Sequence, residues 1–209
     1  MRPVPLVLGV LASGRGSNLQ AIVDAIDAGR CPARVAVVVS DRKDAPALER
    51  ARRAGIRTVH LEPRAYPDRT AFDAAIAEVL DADGVELVCL AGYMRVLSAE
   101  FVRRYRARIL NVHPALLPAF RGLDAQRQAL LHGVKVSGAT VHFVDEGVDT
   151  GPIVLQAAVP VLDDDTDTSL SARILAEEHR LYPEAIRLYA EGRLEVSGRR
   201  VSVRPRAGA

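Results

Sequence analysis

Apolar runs of strand length alternate with helix-period stretches from the start of the chain, the pattern of parallel βαβ units. Residues 4–11 read as a first strand and residues 35–39 as a second buried strand. Between them Leu19, Ile22, Val23 and Ile26 form one helical face, which Gly29 stops. A helix over 45–54 ends at Gly55 and leads to a short strand at 58–60. Phe72, Ile76, Val79 and Leu80 mark the inner face of a third helix over 68–80, followed by a strand at 86–91. A short helix at 98–105 precedes a strand carrying Asn111, and a helix over 124–131 ends at Gly133. The pattern then changes. Residues 138–144 and 153–161 read as consecutive strands around an acidic loop, and a long helix follows over 169–190, interrupted or kinked at Pro183. Residues 194–196 and 200–203 suit a terminal hairpin through Ser197-Gly198, and residues 204–209 a frayed tail. The expected fold is α/β: a Rossmann-like, mostly parallel sheet with helices on both faces, whose C-terminal part has antiparallel strands and a long helix. It forms one domain over 1–204, in halves of about 1–105 and 106–204, with 205–209 as tail.

Composition narrows the function. The 209 residues, 49% of them apolar, can bury one compact core or two closely joined lobes. With 28 Lys+Arg against 26 Asp+Glu there is no electrostatic case for a nucleic-acid partner. Lys43 and Lys135 are the only lysines; the remaining cations are arginines, which suit phosphates and carboxylates. Two cysteines make neither a disulfide framework nor a four-thiolate zinc site, and the five histidines lack ligand spacing, so no metal is expected. The apolar segment at 4–12 is too short to span a bilayer and lacks a cleavage region, which points to the cytoplasm and no membrane partner.

Candidate chemistry sits in Asn111-Val112-His113-Pro114-Ala115-Leu116-Leu117-Pro118 and Asp149-Thr150-Gly151-Pro152. An amide can donate to a developing oxyanion, an imidazole can handle a proton near neutral pH, and a carboxylate can orient and charge that imidazole. Asn111 and His113 lie two apart, so on a strand they share a face, and Pro114 ends the strand. Strand ends are where open parallel sheets place ligands. Residues 13–18, Ser-Gly-Arg-Gly-Ser-Asn, form a small-residue turn at a strand-to-helix junction, where backbone amides can approach a phosphate. Leu19 replaces the third glycine of a dinucleotide fingerprint, and no Lys-Ser/Thr pair makes a P-loop. A glycine turn with an ordinary Ser or Asn helix cap would read the same way. Asp41, ending the second strand, suits either a ribose-binding acid or a solvated turn.

Gly14-Arg15-Gly16-Ser17-Asn18-Leu19-Gln20-Ala21-Ile22, Leu90-Ala91-Gly92-Tyr93-Met94-Arg95, the 111–118 run and Asp149-Thr150-Gly151-Pro152 together resemble the folate-dependent phosphoribosylglycinamide formyltransferases. The resemblance covers about residues 4–203, with the motifs in the family's order. It implies transfer of a formyl group from 10-formyltetrahydrofolate to the amine of glycinamide ribonucleotide in purine synthesis, without a metal. It implies Asn111, His113 and Asp149 as catalytic residues. Gly16, Ser17 and Asn18 match the family's phosphate turn, and Glu178 the acid holding the substrate's ribose and glycinamide end. Met94, Arg95, Val96 and Leu97 match the pterin-cradling segment; Val144, Asp145, Glu146 and Gly147 match the loop closing the folate pocket. Arg69 and His142 are further folate-contact candidates, although a surface-facing Glu178 and a packed strand His142 fit the residue patterns equally well. The resemblance places the phosphate site in the N-terminal half and catalysis and folate binding in the C-terminal half. Asp149 is expected to favour the charged form of His113.

The chain departs from the family pattern at Ala115, where serine is common, and at Arg121, where many relatives have proline or lysine. Formyltetrahydrofolate deformylases share the core, with an N-terminal regulatory domain and a histidine at the Pro114 position. Methionyl-tRNA formyltransferases have alanine there and a C-terminal RNA-binding domain. Neither pattern is expected here. A nicotinamide-binding oxidoreductase built on the glycine turn and Asp41 is the alternative from another class. A homodimer is possible, with no periodicity marking its interface.

Overall fold

The computed structural model describes residues 4–206. The fold is α/β with a mixed, mostly parallel sheet, and the chain divides into two compact units, Met1–Asn111 and Val112–Ala209. The boundary falls inside a strand, between two candidate catalytic residues, rather than before that strand.

In the first unit β1 (Leu6–Leu11), β2 (Ala33–Ser40), β3 (Arg57–His60), β4 (Leu87–Leu90) and β5 (Ile109–His113) lie in the order β3-β2-β1-β4-β5, every pair parallel. The helices α1 (Ser17–Asp27), α2 (Pro46–Arg53), α3 (Arg69–Ala82) and α4 (Ala99–Arg104) connect them, with a 3-10 turn at Pro63–Ala65. Right-handed crossovers in this order put α1 and α2 on one face and α3 and α4 on the other. The order reverses between β1 and β4, which sets a ligand-receptive crevice at their carboxyl ends. The strands are apolar on both sides because helices cover both: Leu8, Val10, Val37, Val38, Leu87, Val88 and Leu110 are fully buried. β1 begins at Leu6, later than its apolar pattern, because Pro5 has no N–H for the ladder and Val4 is exposed. Asp68 caps α3 through Ala71 N–H and Ser98 caps α4 through Phe101 N–H, each worth about 1 kcal/mol.

In the second unit β6 (Val136–Phe143) pairs antiparallel with β7 (Ile153–Pro160), β7 pairs parallel with β9 (Arg200–Val203), and β9 pairs antiparallel with β8 (Leu194–Ser197). Its helices are α5 (Ala125–His132) and α6 (Asp167–Ala190). α6 starts earlier than expected because Thr166 and Ser169 form a reciprocal capping box. It also runs uninterrupted through Pro183: one missing N–H does not break 24 residues whose inner face buries Leu170, Ile174, Leu181 and Ile186. The hairpin turn is Gly198-Arg199, one residue later than expected, since Ser197 pairs with Arg200. Fraying is not seen over 204–206. Arg204 N–H donates to the Arg193 carbonyl (2.8 Å) and the Arg206 guanidinium reaches Glu191 (3.0 Å). The rest of the expected tail, 207–209, lies outside the described residues.

Candidate active site

In the first unit the glycine turn leaves β1 and enters α1 through Gly16, whose φ of 73° is left-handed. A side chain there meets a second obstacle, because its Cβ would sit 2.7 Å from Ala47 Cα. α2 holds the turn from behind: Ala47 N–H donates to the Gly14 carbonyl (3.1 Å) and Arg50 Nε to the Arg15 carbonyl (2.9 Å). No side chain caps α1, so the Ser-or-Asn-cap reading of this turn fails. Ser17 is half-buried and Asn18 buried. Ser13 joins the turn to the segment after β4, donating its N–H to the Gly92 carbonyl (3.0 Å) and accepting Met94 N–H at Oγ (3.0 Å).

That segment carries the folate-contact candidates. Met94 and Val96 are exposed and Leu97 is buried. The Arg95 guanidinium lies over the Phe72 ring, 5.0 Å from its centre. Arg69 is exposed at the first position of α3. Asp41 is half-buried with no hydrogen-bond partner for its Oδ1 among the described residues, while Arg42, Lys43 and Asp44 are exposed in a turn, as a solvated turn requires. Burial, with the charges of Asp73 and Asp41, pushes the Tyr93 phenol well above its ordinary range. No spacing pattern announces this buried polar group, because β2, α3 and the loop after β4 supply it jointly.

In the second unit the chemistry gathers around one carboxylate. Asp149 Oδ2 accepts Gly122 N–H at 2.8 Å and lies 3.3 Å from His113 Nδ1; Oδ1 lies 3.5 Å from His142 Nε2. His113 and His142 are 4% and 2% exposed and Asp149 12%, so these interactions are largely withdrawn from solvent screening. His113 Nε2 lies 2.8 Å from the Phe120 carbonyl oxygen, and His142 Nδ1 lies 2.8 Å from the Phe143 carbonyl oxygen. Each imidazole therefore has an acceptor at both ring nitrogens. Sequence reasoning missed the Phe120 carbonyl and Gly122 N–H, because backbone groups leave no residue-type signature.

The turn that sets His113 is clamped from β6 and β7. Thr140 Oγ1 donates to the Ala115 carbonyl (2.6 Å) and accepts Leu117 N–H (3.1 Å), while Gln156 donates to the Leu117 carbonyl (2.9 Å). Ala115 is fully buried, so a small residue at this family serine position fits. Asp145 Oδ1 accepts Gly147 N–H (3.2 Å) and the Thr150 hydroxyl (2.5 Å), which folds the acidic loop upon itself; Val144 is half-buried and Glu146 exposed. Glu178 is 7% exposed on α6, contrary to a surface-facing glutamate. Arg121 is exposed. No group of three His, Cys, Asp or Glu side chains among the described residues could hold a metal ion.

Burial and the neighbouring His142 push the His113 pKa down, and this outweighs the opposing pull of Asp149 and the Phe120 carbonyl. Asp149 favours the charged form of His113 as expected, but burial is the larger influence. Asp149 is held below the ordinary aspartate value: the bonds from His142 and Gly122 and the charges of both imidazoles outweigh its desolvation. A lowered histidine pKa means the unfolded chain binds more protons just below pH 6.5, so stability falls as pH drops through that range. Asp149 contributes fully above about pH 3.8 and its share is lost below that. Thermal melts from pH 8 to 5 are expected to show Tm declining near pH 6.5, with a shallower decline in His113→Gln.

The first unit presents a small-residue turn after β1, and the second a buried imidazole–carboxylate pair at a Pro-terminated strand end, an arrangement suited to proton handling in an enzyme. Residues 7–186 match the formyl transferase family, and the chain belongs to it. It is 46% identical over 187 residues to phosphoribosylglycinamide formyltransferase of Escherichia coli (strain K12), covering 90% of this chain and 88% of that one. The crystal structure of glycinamide ribonucleotide transformylase 1 from Symbiobacterium toebii superposes with a TM-score of 0.95 at 64% identity, covering 97% of this chain and 96% of that one. The trifunctional purine biosynthetic protein adenosine-3 of Bos taurus is 45% identical over 95% of this chain, which spans 20% of that protein's length.

Proposed function

We propose that this protein transfers the formyl group of 10-formyltetrahydrofolate to the primary amine of glycinamide ribonucleotide, in the cytoplasm and as one domain over residues 1–204. The observation that carries the reading is the buried Asp149–His113 pair at the end of the strand that also bears Asn111. It supplies a proton-handling imidazole, a fixed negative charge and an amide donor, which formyl transfer between two nitrogens requires.

The amine lone pair adds to the formyl carbon, giving a tetrahedral centre with a negative oxygen and a positive nitrogen. Asn111 and His113 donate to that oxygen. The bond from the formyl carbon to folate N10 then breaks; one proton leaves the attacking nitrogen and one arrives on N10. The products are formylglycinamide ribonucleotide and tetrahydrofolate, with protons balanced. Asp149 stabilises His113 as it gains positive character, and a water held by Asp149 carries the transferred proton. His113 Nε2 reaches the oxyanion by giving up or sharing its contact with the Phe120 carbonyl. Gly16, Ser17 and Asn18 take the substrate phosphate at the start of α1, where the helix dipole favours an anion. Glu178 accepts from the ribose or glycinamide end. The backbone of 94–97 hydrogen-bonds the pterin, the 144–147 loop covers it, and Arg69 meets the folate's anionic tail.

The test mixes both substrates and follows tetrahydrofolate release with and without glycinamide ribonucleotide. Release that requires the amine is the expected result. Release independent of it makes the protein a deformylase, and no release by folded protein rejects formyl chemistry. Gly16→Ala is expected to raise KM for the ribonucleotide about tenfold or more with a smaller change in kcat, because the altered turn contacts the non-reacting phosphate.

A further inference from the structure

His142 is more deeply buried than His113, and its ring is aimed rather than merely packed. The β6–β7 register shifts between Val141 and His142: Val141 pairs with Leu155 while His142 pairs with Ile153. The extra residue, Val154, lies on β7 opposite the Val141–His142 step, and the local twist of the strand pair increases there. The ring is then fixed at one end by the carbonyl of its own neighbour, with Nδ1 2.8 Å from Phe143 O, and its other nitrogen points at Asp149 Oδ1 across 3.5 Å. Gly122 N–H and His113 occupy the opposite carboxylate oxygen. We infer that His142 is a positioning residue, which holds Oδ1 so that Oδ2 stays directed at His113.

The Phe143 carbonyl and the Asp149 carboxylate are both acceptors, so each nitrogen of the His142 ring is aimed at an acceptor. His142 then delivers a charge-assisted bond to the side of Asp149 that His113 does not use. A carboxylate gripped at one oxygen alone can rotate about its terminal torsion, which is broad and two-fold, and carry Oδ2 away from His113. A misplacement of about 1 Å at a reacting constellation costs on the order of a hundredfold in rate. His142 thus acts through Asp149 and touches no reacting atom, in contrast to the folate contact that the family resemblance suggests for it.

The inference rests on the reading of Asp149 as the partner of a catalytic His113, so its test carries one kinetic and one ligand-independent measurement. His142→Leu is expected to lower kcat by about 10- to 100-fold while KM for each substrate stays within about threefold. His142→Gln, whose amide places an N–H near the position of Nε2, is expected to recover most of that loss. Unchanged kcat in His142→Leu overturns the proposal. So does a selective rise in folate KM, which would make His142 a folate contact, or failure of glutamine to recover rate in a folded protein. Independently of activity, ring 15N spectra are expected to show the His142 Nε2 resonance moving in Asp149→Asn and staying in place in Asp145→Asn. An unmoved resonance in Asp149→Asn refutes the clamp. A moved resonance in an enzyme without formyl transfer sinks the functional reading and leaves the clamp standing.

Discussion

Asp149→Asn is expected to lower kcat by about a thousandfold while KM for glycinamide ribonucleotide changes by less than about threefold. Asparagine fills the same volume and can still accept Gly122 N–H, so the 120–122 turn keeps its anchor. The charge is what disappears. His113 is already pushed below its ordinary pKa by burial, and the Asp149 charge is the main pull against that shift. Without it the imidazole has less access to the positive character it needs as the tetrahedral oxygen forms. Loss of one oxyanion donor alone costs about 100- to 1,000-fold, and Asp149→Asn weakens the donor and disturbs the proton relay together. Steady-state kinetics with both substrates varied decide the matter: wild-type kcat in Asp149→Asn removes the carboxylate from the mechanism. The expected split, with kcat falling and KM holding, arises because the phosphate and ribose contacts are assigned to other residues.

Gly151→Ala is expected to destabilise the protein by about 3–5 kcal/mol, lowering Tm by roughly 10 °C or more. An added Cβ would lie 1.7 Å from the Phe143 carbonyl oxygen and 2.8 Å from its carbonyl carbon. These are backbone atoms, so no rotamer change relieves the clash. The Phe143 N–H to Pro152 carbonyl bond (2.9 Å), which pins the β6–β7 ends together, would have to open. Because Phe143 O also fixes the His142 ring, the damage reaches Asp149 through a second route. A melt within 2 °C of wild type would show that this crossing tolerates a side chain. Gly147 is an instructive contrast: its added Cβ would meet the Thr150 side chain rather than backbone, and the cost there is expected to be much smaller.

Much of this architecture was legible in the order of residues. The parallel βαβ series follows from apolar runs separated by helical periodicity, and the observed strands and helices lie where that periodicity put them. Errors concentrated at ends. β1 started late because Pro5 lacks an N–H, α6 started early because Thr166 and Ser169 cap each other, and Pro183 did not interrupt a helix anchored by buried leucines and isoleucines. These outcomes depend on hydrogen bonds and burial that local composition does not encode. The tail expectation failed over 204–206 for the same reason, since Arg193 and Glu191 hold those residues through groups distant in sequence.

The linear order of residues was sufficient for the family: the motifs around Asn111, His113 and Asp149 carry the resemblance jointly, where His113 alone would read as an ordinary strand-end histidine. It also determined that the pair on β5 stops at a strand end, because Pro114 forbids continuation. Only the folded chain decided the state of that chemistry. Burial overcame the carboxylate's pull on His113, the Phe120 carbonyl took up its second nitrogen, and His142 came to lie beside Asp149. Solvent exclusion and backbone acceptors are properties of a packed interior, created when β6, β7 and the loops beyond them come together, and no residue type carries them in advance.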